Sequence, residues 1–253
     1  PLYVPEDCKT LKEAVARVKH DSRITTIILG EGEHHIDDLY LFVFSAMSIV
    51  GRPDVPKEKI VVVGGIWFNK GIQGNCHLQH LTLRQAKEHG VVGQSSFTMA
   101  DVLVEQCGCY GVWADGTGVV GRCTNVEVRQ CGWSGVLASG GASITLIGAK
   151  TTVHHNCTNG DSDQYGLQVY GSSSTIQLVA PLTKEQVSVD NDCNCANWGA
   201  DYTGGGDINQ IKTMTEAEIE AELEEATAAR SRGEVRVPED CNTLEEAVGK
   251  VHG

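Results

Sequence analysis

Two short stretches decide the fold: VEQCGCYGV at residues 104–112 and VRQCGWSGV at residues 128–136. Six of the nine positions are identical, and each pair is 24 residues apart. Working outward, the glycine of this motif recurs in His89-Gly90-Val91, Tyr110-Gly111-Val112, Ser134-Gly135-Val136 and Tyr165-Gly166-Leu167, at intervals of 21, 24 and 31 residues. The last interval contains the polar segment 158–164, so one coil with a loop insertion accounts for it. A coil of this length holds three short strands and three bends, and it can stack on the next coil about 4.8 Å away with parallel hydrogen bonding. Short β-favouring runs separated by Gly, Asn, Asp or Ser recur throughout, from residues 48–50 to residues 208–212.

Within the repeat, Gln106, Gln130 and Asn156 precede Cys107, Cys131 and Cys157. Gln85 and Asn191 extend the amide column, while the cysteine column lapses at Ala86 and Asp192. An amide turned inward at each bend would bond its neighbours above and below, and a small, weakly polar Cys would fill the narrow interior beside it. The motif therefore reads as wall construction. Inward placement also removes Asn156-Cys157-Thr158 from consideration as a glycosylation site.

The bulk composition excludes several classes. The chain has 253 residues, a formal charge of -13, 29 Gly and only 6% aromatics, so small and β-branched side chains do most of the packing. Twenty basic residues without a basic run argue against nucleic acid. Acidic polysaccharides would be repelled unless a local patch reverses the field. No apolar run of about 18 residues marks a membrane span, and the first residues resemble no signal peptide. Among the ten cysteines, two CxC pairs (Cys107/Cys109 and Cys193/Cys195) lie far apart, and neither is a CxxC zinc knuckle. We expect no metal, no cofactor, and mostly reduced, packed thiols. This cysteine usage mildly favours a reducing, cytoplasmic compartment, whereas a sugar-facing module would often act outside cells, so the sequence does not assign a location.

The ends differ from the middle. Thr10 and Glu13 form a capping box for a helix whose Leu11, Ala14, Val15 and Val18 make one apolar face. A helix followed by the strand at 27–29 could begin a βαβ unit, but no second comparable helix follows. Near the other end, MTEAEIEAELEEATAARSRG reads as an acidic helix, a cap for the last coil or a linker. Beyond it, Val4-Pro5-Glu6-Asp7-Cys8 recurs as Val237-Pro238-Glu239-Asp240-Cys241, 233 residues away. The expected organisation is a β-helix over 1–212, an acidic helix over 213–233, and over 234–253 either the start of a second tandem repeat or a capping segment.

TLKEAVARV at 10–18, TTIILGEGEH at 25–34, SIVGR at 48–52 and the later coils resemble the right-handed parallel β-helix superfamily, often called pectin-lyase-like. NosD-like and F-box-associated β-helical repeats are comparable families. The resemblance implies an all-β, right-handed parallel β-helix with an N-terminal capping helix and a C-terminal acidic helix. It implies no single activity, because this fold hosts lyases, hydrolases, epimerases, adhesins and noncatalytic modules.

Two functions follow. The leading one is a noncatalytic scaffold or interaction module that binds a polysaccharide or a protein along a long lateral face, with neighbouring tandem modules as further partners. Tyr110, Trp113, Trp133, Tyr165 and Tyr170 would supply a platform for the CH-rich faces of pyranoses. The alternative is a polysaccharide-active enzyme. A glycoside hydrolase needs paired acids, for which Asp161/Asp163 and Asp190/Asp192 are the candidates, the latter near Asp201. A lyase needs a base and a cation beside the substrate carboxylate, for which Arg84, Arg129, His154 and His155 are candidates, although Glu105 interrupts the basic series. The acid triad of acidic lyases and the dihydroxyuronate epimerase signature are not evident. Acids and aromatics facing one cleft would favour the enzyme, whereas dispersed acids would favour the interaction module.

Overall fold

The computed structural model describes residues 1–21, 23–160, 163–191, 197–201 and 204–231. Asp161, Asp192, Cys193, Cys195 and the segment 234–253 lie outside the described residues. The chain winds into an all-β parallel β-helix, in which every strand pairs in parallel with the strand one coil away.

Three ladders form three faces. The first face runs from Leu2–Val4 through Thr26–Leu29, Ser48–Gly51, the starts of Cys76–Arg84 and Phe97–Glu105, Val120–Thr124, Ser143–Ile147 and Thr175–Val179 to Ile211–Met214. The second collects the start of Gly32–Val43, the start of Ile60–Phe68, the ends of Cys76–Arg84 and Phe97–Glu105, then Glu127–Arg129, Thr152–His154 and Ser188–Val189. The third comprises the ends of Gly32–Val43 and Ile60–Phe68, followed by Val91–Gly93, Val112–Asp115, Val136–Ser139, Leu167–Tyr170 and Trp198–Asp201.

Period-two alternation explains the core. In Val112–Asp115, Val112 and Ala114 point inward while Trp113 and Asp115 point out, and the aligned Val136 and Ala138 are buried in the next coil. The YGV and SGV motifs mark a bend where two coils touch. A Cβ on Gly111 would lie 2.7 Å from the Gly135 carbonyl and would also strike the Val128 side chain, so only glycine fits.

The wall motif is built differently from the inward-amide expectation. Gln85, Gln106 and Gln130 occupy left-handed bends (φ 55°, 57° and 56°), and their side chains point outward. There they form an amide ladder, with Gln85 Nε2 donating to Gln106 Oε1 (3.4 Å) and Gln106 Nε2 to Gln130 Oε1 (3.3 Å). In the next coils this left-handed position falls on His155 (φ 54°) and Asp190 (φ 50°), because Arg129 pairs with His154 and His154 with Val189. Asn156 therefore aligns with Cys131 rather than with Gln130. The inward column reads Cys107, Cys131, Asn156, Asn191. Asn156 is fully buried: its Oδ1 accepts from the Cys131 N–H (3.1 Å), and its Nδ2 donates to the Val128 carbonyl (3.1 Å) and to Asn191 Oδ1 (3.0 Å). Stacked cysteines give way to stacked asparagines that bond the bend backbone.

The described cysteines are all free thiols, and only Cys109 is part-exposed. Burial pushes Cys76 up to about 11 and Cys123 up to about 12, so these thiols stay protonated packing groups.

Helix α1 (Leu11–His20) covers the first coil. Thr10 accepts the Glu13 N–H (3.1 Å), and Leu11, Ala14, Val15 and Val18 are buried as their spacing predicts. A short helix, α2 (Lys184–Val187), precedes the last second-face strand. The acidic helix α3 (Glu216–Ser231) follows the last first-face strand, buries Ile219, and is tied to that face through Glu222, which pairs with Lys212 (2.8 Å) and accepts from Gln177 (2.8 Å). Among the described residues, no helix is long and apolar enough to cross a membrane.

Candidate functional site: an aromatic and acidic groove on the third face

The outward positions of the third face form one column: Phe42, Trp67, Val92, Trp113, Leu137, Gln168 and Gly199. Trp67 and Trp113 are two coils apart, yet both lean over the smaller Val92 and meet edge-on, with ring centroids 6.3 Å apart. Beside this column, His89 and Tyr110, the residues before the bend glycines Gly90 and Gly111, add a second row. His89 stacks on Tyr110 (5.1 Å, 10° between planes) and meets Trp113 edge-on (5.0 Å); Tyr110 in turn meets Trp133 (5.0 Å). Phe42, Trp67, His89, Trp113, Tyr110 and Trp133 thus make a continuous aromatic strip that crosses the coils.

At the C-terminal end of the strip the surface sinks into a groove of about 570 Å³. Its aromatic wall is His89, Tyr110, Trp113, Trp133 and Tyr170, and Asp115, Asp163 and Asp201 supply three carboxylates. Gln164, Gln168 and Ser139 add neutral polar groups, and no described lining residue is Lys or Arg.

The polar groups are ordered by bonds across coils. Trp113 Nε1 donates to Ser139 Oγ (2.8 Å), which donates to Asp115 Oδ1 (2.7 Å); the register pairs Ser139 with Asp115, so indole, hydroxyl and carboxylate form one relay. The Ser134 hydroxyl sits between the amides of Gln164 and Gln168 and accepts the Tyr165 N–H (2.9 Å). Gln168 Nε2 donates to the Asp163 carbonyl (3.0 Å), which fixes the inserted loop against the strand.

Two groups are displaced in their titration. Burial pushes the Tyr110 phenol up to about 12, with the negative charges of Asp163 and Asp201 adding to the effect, so it remains a neutral donor. Burial lowers the pKa of His89, and its Nδ1 accepts the Tyr110 N–H (3.2 Å). That bond fixes the neutral tautomer with the proton on Nε2.

Four of the five aromatics singled out from sequence, Tyr110, Trp113, Trp133 and Tyr170, line this groove. Tyr165 does not: its ring lies over the backbone of Gly199, where any Cβ would strike it. Of the described acid candidates, Asp163 lines the groove, whereas Asp190 is exposed at a bend of the second face, where its carbonyl accepts the His155 N–H (2.9 Å). Sequence reasoning missed Asp115, although it lies two residues beyond Trp113 and so on the same outward side. It also missed His89, the residue aligned with Tyr110 one coil earlier, and it placed Asp201 with the other pair.

The basic candidates lie on the second face and are already engaged. Glu105 is almost wholly buried between Arg84 (Nε–Oε1 2.6 Å) and Arg129 (Nη2–Oε2 2.7 Å). Arg129 also pairs with Glu127 (2.9 Å), which takes His154 (3.1 Å), and His154 Nδ1 contacts His155 Nδ1 (2.7 Å).

No protein-family description matches this sequence. No curated protein matches it either. Among solved structures, the chain is similar to the A-module of the Azotobacter vinelandii mannuronan C-5 epimerase AlgE4, at 12% identity and a TM-score of 0.23, over 80% of this chain and 94% of that one.

Proposed function

We propose that the groove on the third face binds a carbohydrate chain that carries no carboxylates, and that the protein acts as a noncatalytic recognition module. The observation that carries this reading is the convergence of Tyr110, Trp113, Trp133 and Tyr170 with three carboxylates in one groove. Flat apolar rings match the CH faces of pyranoses, and carboxylates and amides take up their hydroxyls. A polyuronate fits poorly. Its charge would meet Asp115, Asp163 and Asp201 with no Lys or Arg among the described lining residues, and the net charge of -13 opposes its approach. For the same reason a β-elimination step lacks its cation: Arg84 and Arg129 are committed to Glu105 on another face.

The convergence of Asp115, Asp163 and Asp201 favours one second reading, a glycoside hydrolase. One carboxyl would protonate the glycosidic oxygen, and another would activate water or attack the anomeric carbon. A screen of neutral and amino-sugar polysaccharides, scored for both binding and turnover, separates the two. The recognition module predicts saturable binding without product, weakened about 10- to 100-fold by Trp113→Ala, equivalent to about 1.4–2.8 kcal/mol. Product formation abolished by Asp115→Asn, Asp163→Asn or Asp201→Asn establishes the hydrolase instead. Binding that Trp113→Ala leaves unchanged removes the groove from both readings.

A further inference from the structure

The groove on the third face holds more negative charge than a neutral ligand compensates. Asp115, Asp163 and Asp201 line it, and no described lining residue is Lys or Arg. Its imidazole, His89, accepts the Tyr110 N–H at Nδ1 (3.2 Å), and burial lowers its pKa, so it adds no balancing charge. Asp115 Oδ1 accepts from Ser139 Oγ (2.7 Å), which leaves Oδ2 for a ligand. Asp163 is exposed, on the loop that Gln168 anchors through the Asp163 carbonyl (3.0 Å). The field of these groups is felt inside the site: Asp163 and Asp201 both add to the burial that pushes the Tyr110 phenol up to about 12. The same sign of field favours a cation beside that ring.

The rings form a corner around this charge. Trp113 and Trp133 both stand at 63° to the Tyr110 ring, with centroids 5.8 and 5.0 Å away, and the part-exposed Tyr170 adds a fourth ring. A cation within about 6 Å of a Trp or Tyr face is attracted by the ring quadrupole, more so where water is excluded. The protein makes this contact with its own groups elsewhere, placing Lys19 over Phe44, Arg52 over Tyr3 and Lys184 over Trp198. Among the described residues, no lysine or arginine lies over a ring of the groove.

Rings and carboxylates together select a ligand more narrowly than either alone. A neutral pyranose satisfies the rings through its CH face, but seating it shields like charges from water without compensation, which costs affinity. A carboxylate or sulfate on the sugar adds repulsion. An ammonium on the sugar meets both demands, because it offsets the carboxylates and is drawn to the rings. The strip that continues from Trp113 to Trp67 and Phe42 gives further units of a chain a surface to stack on.

We propose, resting on the carbohydrate-recognition reading, that the ligand of this groove is an amino-sugar chain with free, protonated amines: a polyglucosamine rather than a neutral or N-acetylated glycan.

Isothermal titration of the whole chain tests this at pH 5.5, where carboxylates are ionised and amines protonated. Three pentamers are compared: glucosamine, N-acetylglucosamine, and glucose with a hydroxyl at the amine position. The glucosamine pentamer should bind at least about 10-fold more tightly than the other two, and the preference should shrink several-fold between about 50 and 500 mM salt. Asp115→Asn and Asp163→Asn should each weaken the glucosamine pentamer about 3- to 10-fold and the glucose pentamer less than about 2-fold, whereas Trp113→Ala weakens both. Asp54→Asn removes an exposed carboxylate outside the groove and should change neither. An equal loss from Asp54→Asn assigns the preference to the net charge of -13 and overturns the site. Pentalysine binding as tightly, with the same dependence on Asp115 and Asp163, also overturns the proposal, because the groove would then read charge without the sugar. A glucose or N-acetylglucosamine pentamer that binds as tightly, and that Trp113→Ala weakens, overturns the amine assignment while carbohydrate recognition stands. If no pentamer binds saturably, both fall.

Discussion

Replacing Glu105 with Gln tests a buried carboxylate of the second face. Glu105 is 3% exposed and accepts from Arg84 Nε (2.6 Å), Arg129 Nε (2.9 Å) and Arg129 Nη2 (2.7 Å). Burial alone would raise its pKa, but the hydrogen bonds and charges of Arg129 and Arg84 outweigh that and hold the carboxyl below the ordinary glutamate range. Glutamine keeps the shape, removes the charge, and leaves two guanidinium groups facing each other. Breaking a fully buried ion pair costs about 3–5 kcal/mol. Both arginines are about one-third exposed, at 31% and 35%, so solvent screening reduces the loss. We expect about 2–3 kcal/mol, or a melting temperature lower by about 4–12 °C for a domain of this size. Differential scanning calorimetry at pH 7 measures it. The pH dependence adds a second check. A carboxylate with a depressed folded pKa contributes stability that is complete above its unfolded pKa and is lost as pH falls through the folded pKa. The gap between wild type and Glu105→Gln should therefore be full at neutral pH and narrow progressively below about pH 4.3. A variant melting within about 1 °C of wild type at pH 7, or a gap that widens in acid, would refute the reasoning.

Gly111→Ala places a methyl group against the Gly135 carbonyl and Val128, and should cost about 1–3 kcal/mol in urea unfolding; Gly160→Ala, with open space around the added carbon but φ at 77°, separates the clash from backbone strain. Ser139→Ala removes the link between Trp113 and Asp115, so glycan affinity should fall by about 3- to 10-fold while the melting temperature moves little. His80 should show the opposite pH dependence from Glu105. Burial opposes its charge, but Nδ1 bonds Asp101 (2.7 Å) and Nε2 bonds the Val55 carbonyl (2.8 Å), which raises its folded pKa. Its contribution is full below the unfolded value of about 6.5 and is lost as pH rises through the folded pKa, so His80→Gln should be most destabilised relative to wild type near pH 5.5 and least near pH 9. An equal deficit at both would count against the charged form.

The sequence carried the architecture because the rules involved are local and repeated. Alternation within Val112–Asp115 separates Val112 and Ala114 from Trp113 and Asp115 without reference to any other coil, and a bend that tolerates only glycine writes that glycine into each turn. The N-terminal helix was legible for the same reason: its cap and its apolar stripe lie within one short segment. Tyr110, Trp113 and Trp133 were legible as a platform because they lie close to the bend glycines of neighbouring coils, where stacking brings their rings together.

What the tertiary structure alone decided is everything that depends on register between coils of unequal length. The bend after His154 places His155 at the left-handed position, so Asn156 moves into the column held by Cys131, and no local pattern marks that one-residue shift. The insertion before Tyr165 carries Asp163 back to the groove, while Tyr165 itself turns onto Gly199. Asp115 and Asp201 are far apart in the chain, and they share a groove only because Trp113, Leu137 and Gln168 stack in one column with their strands in step. Strand alternation is encoded residue by residue. The meeting of side chains from different coils is fixed by how much chain each bend consumes, and that length is resolved only when the coils pack.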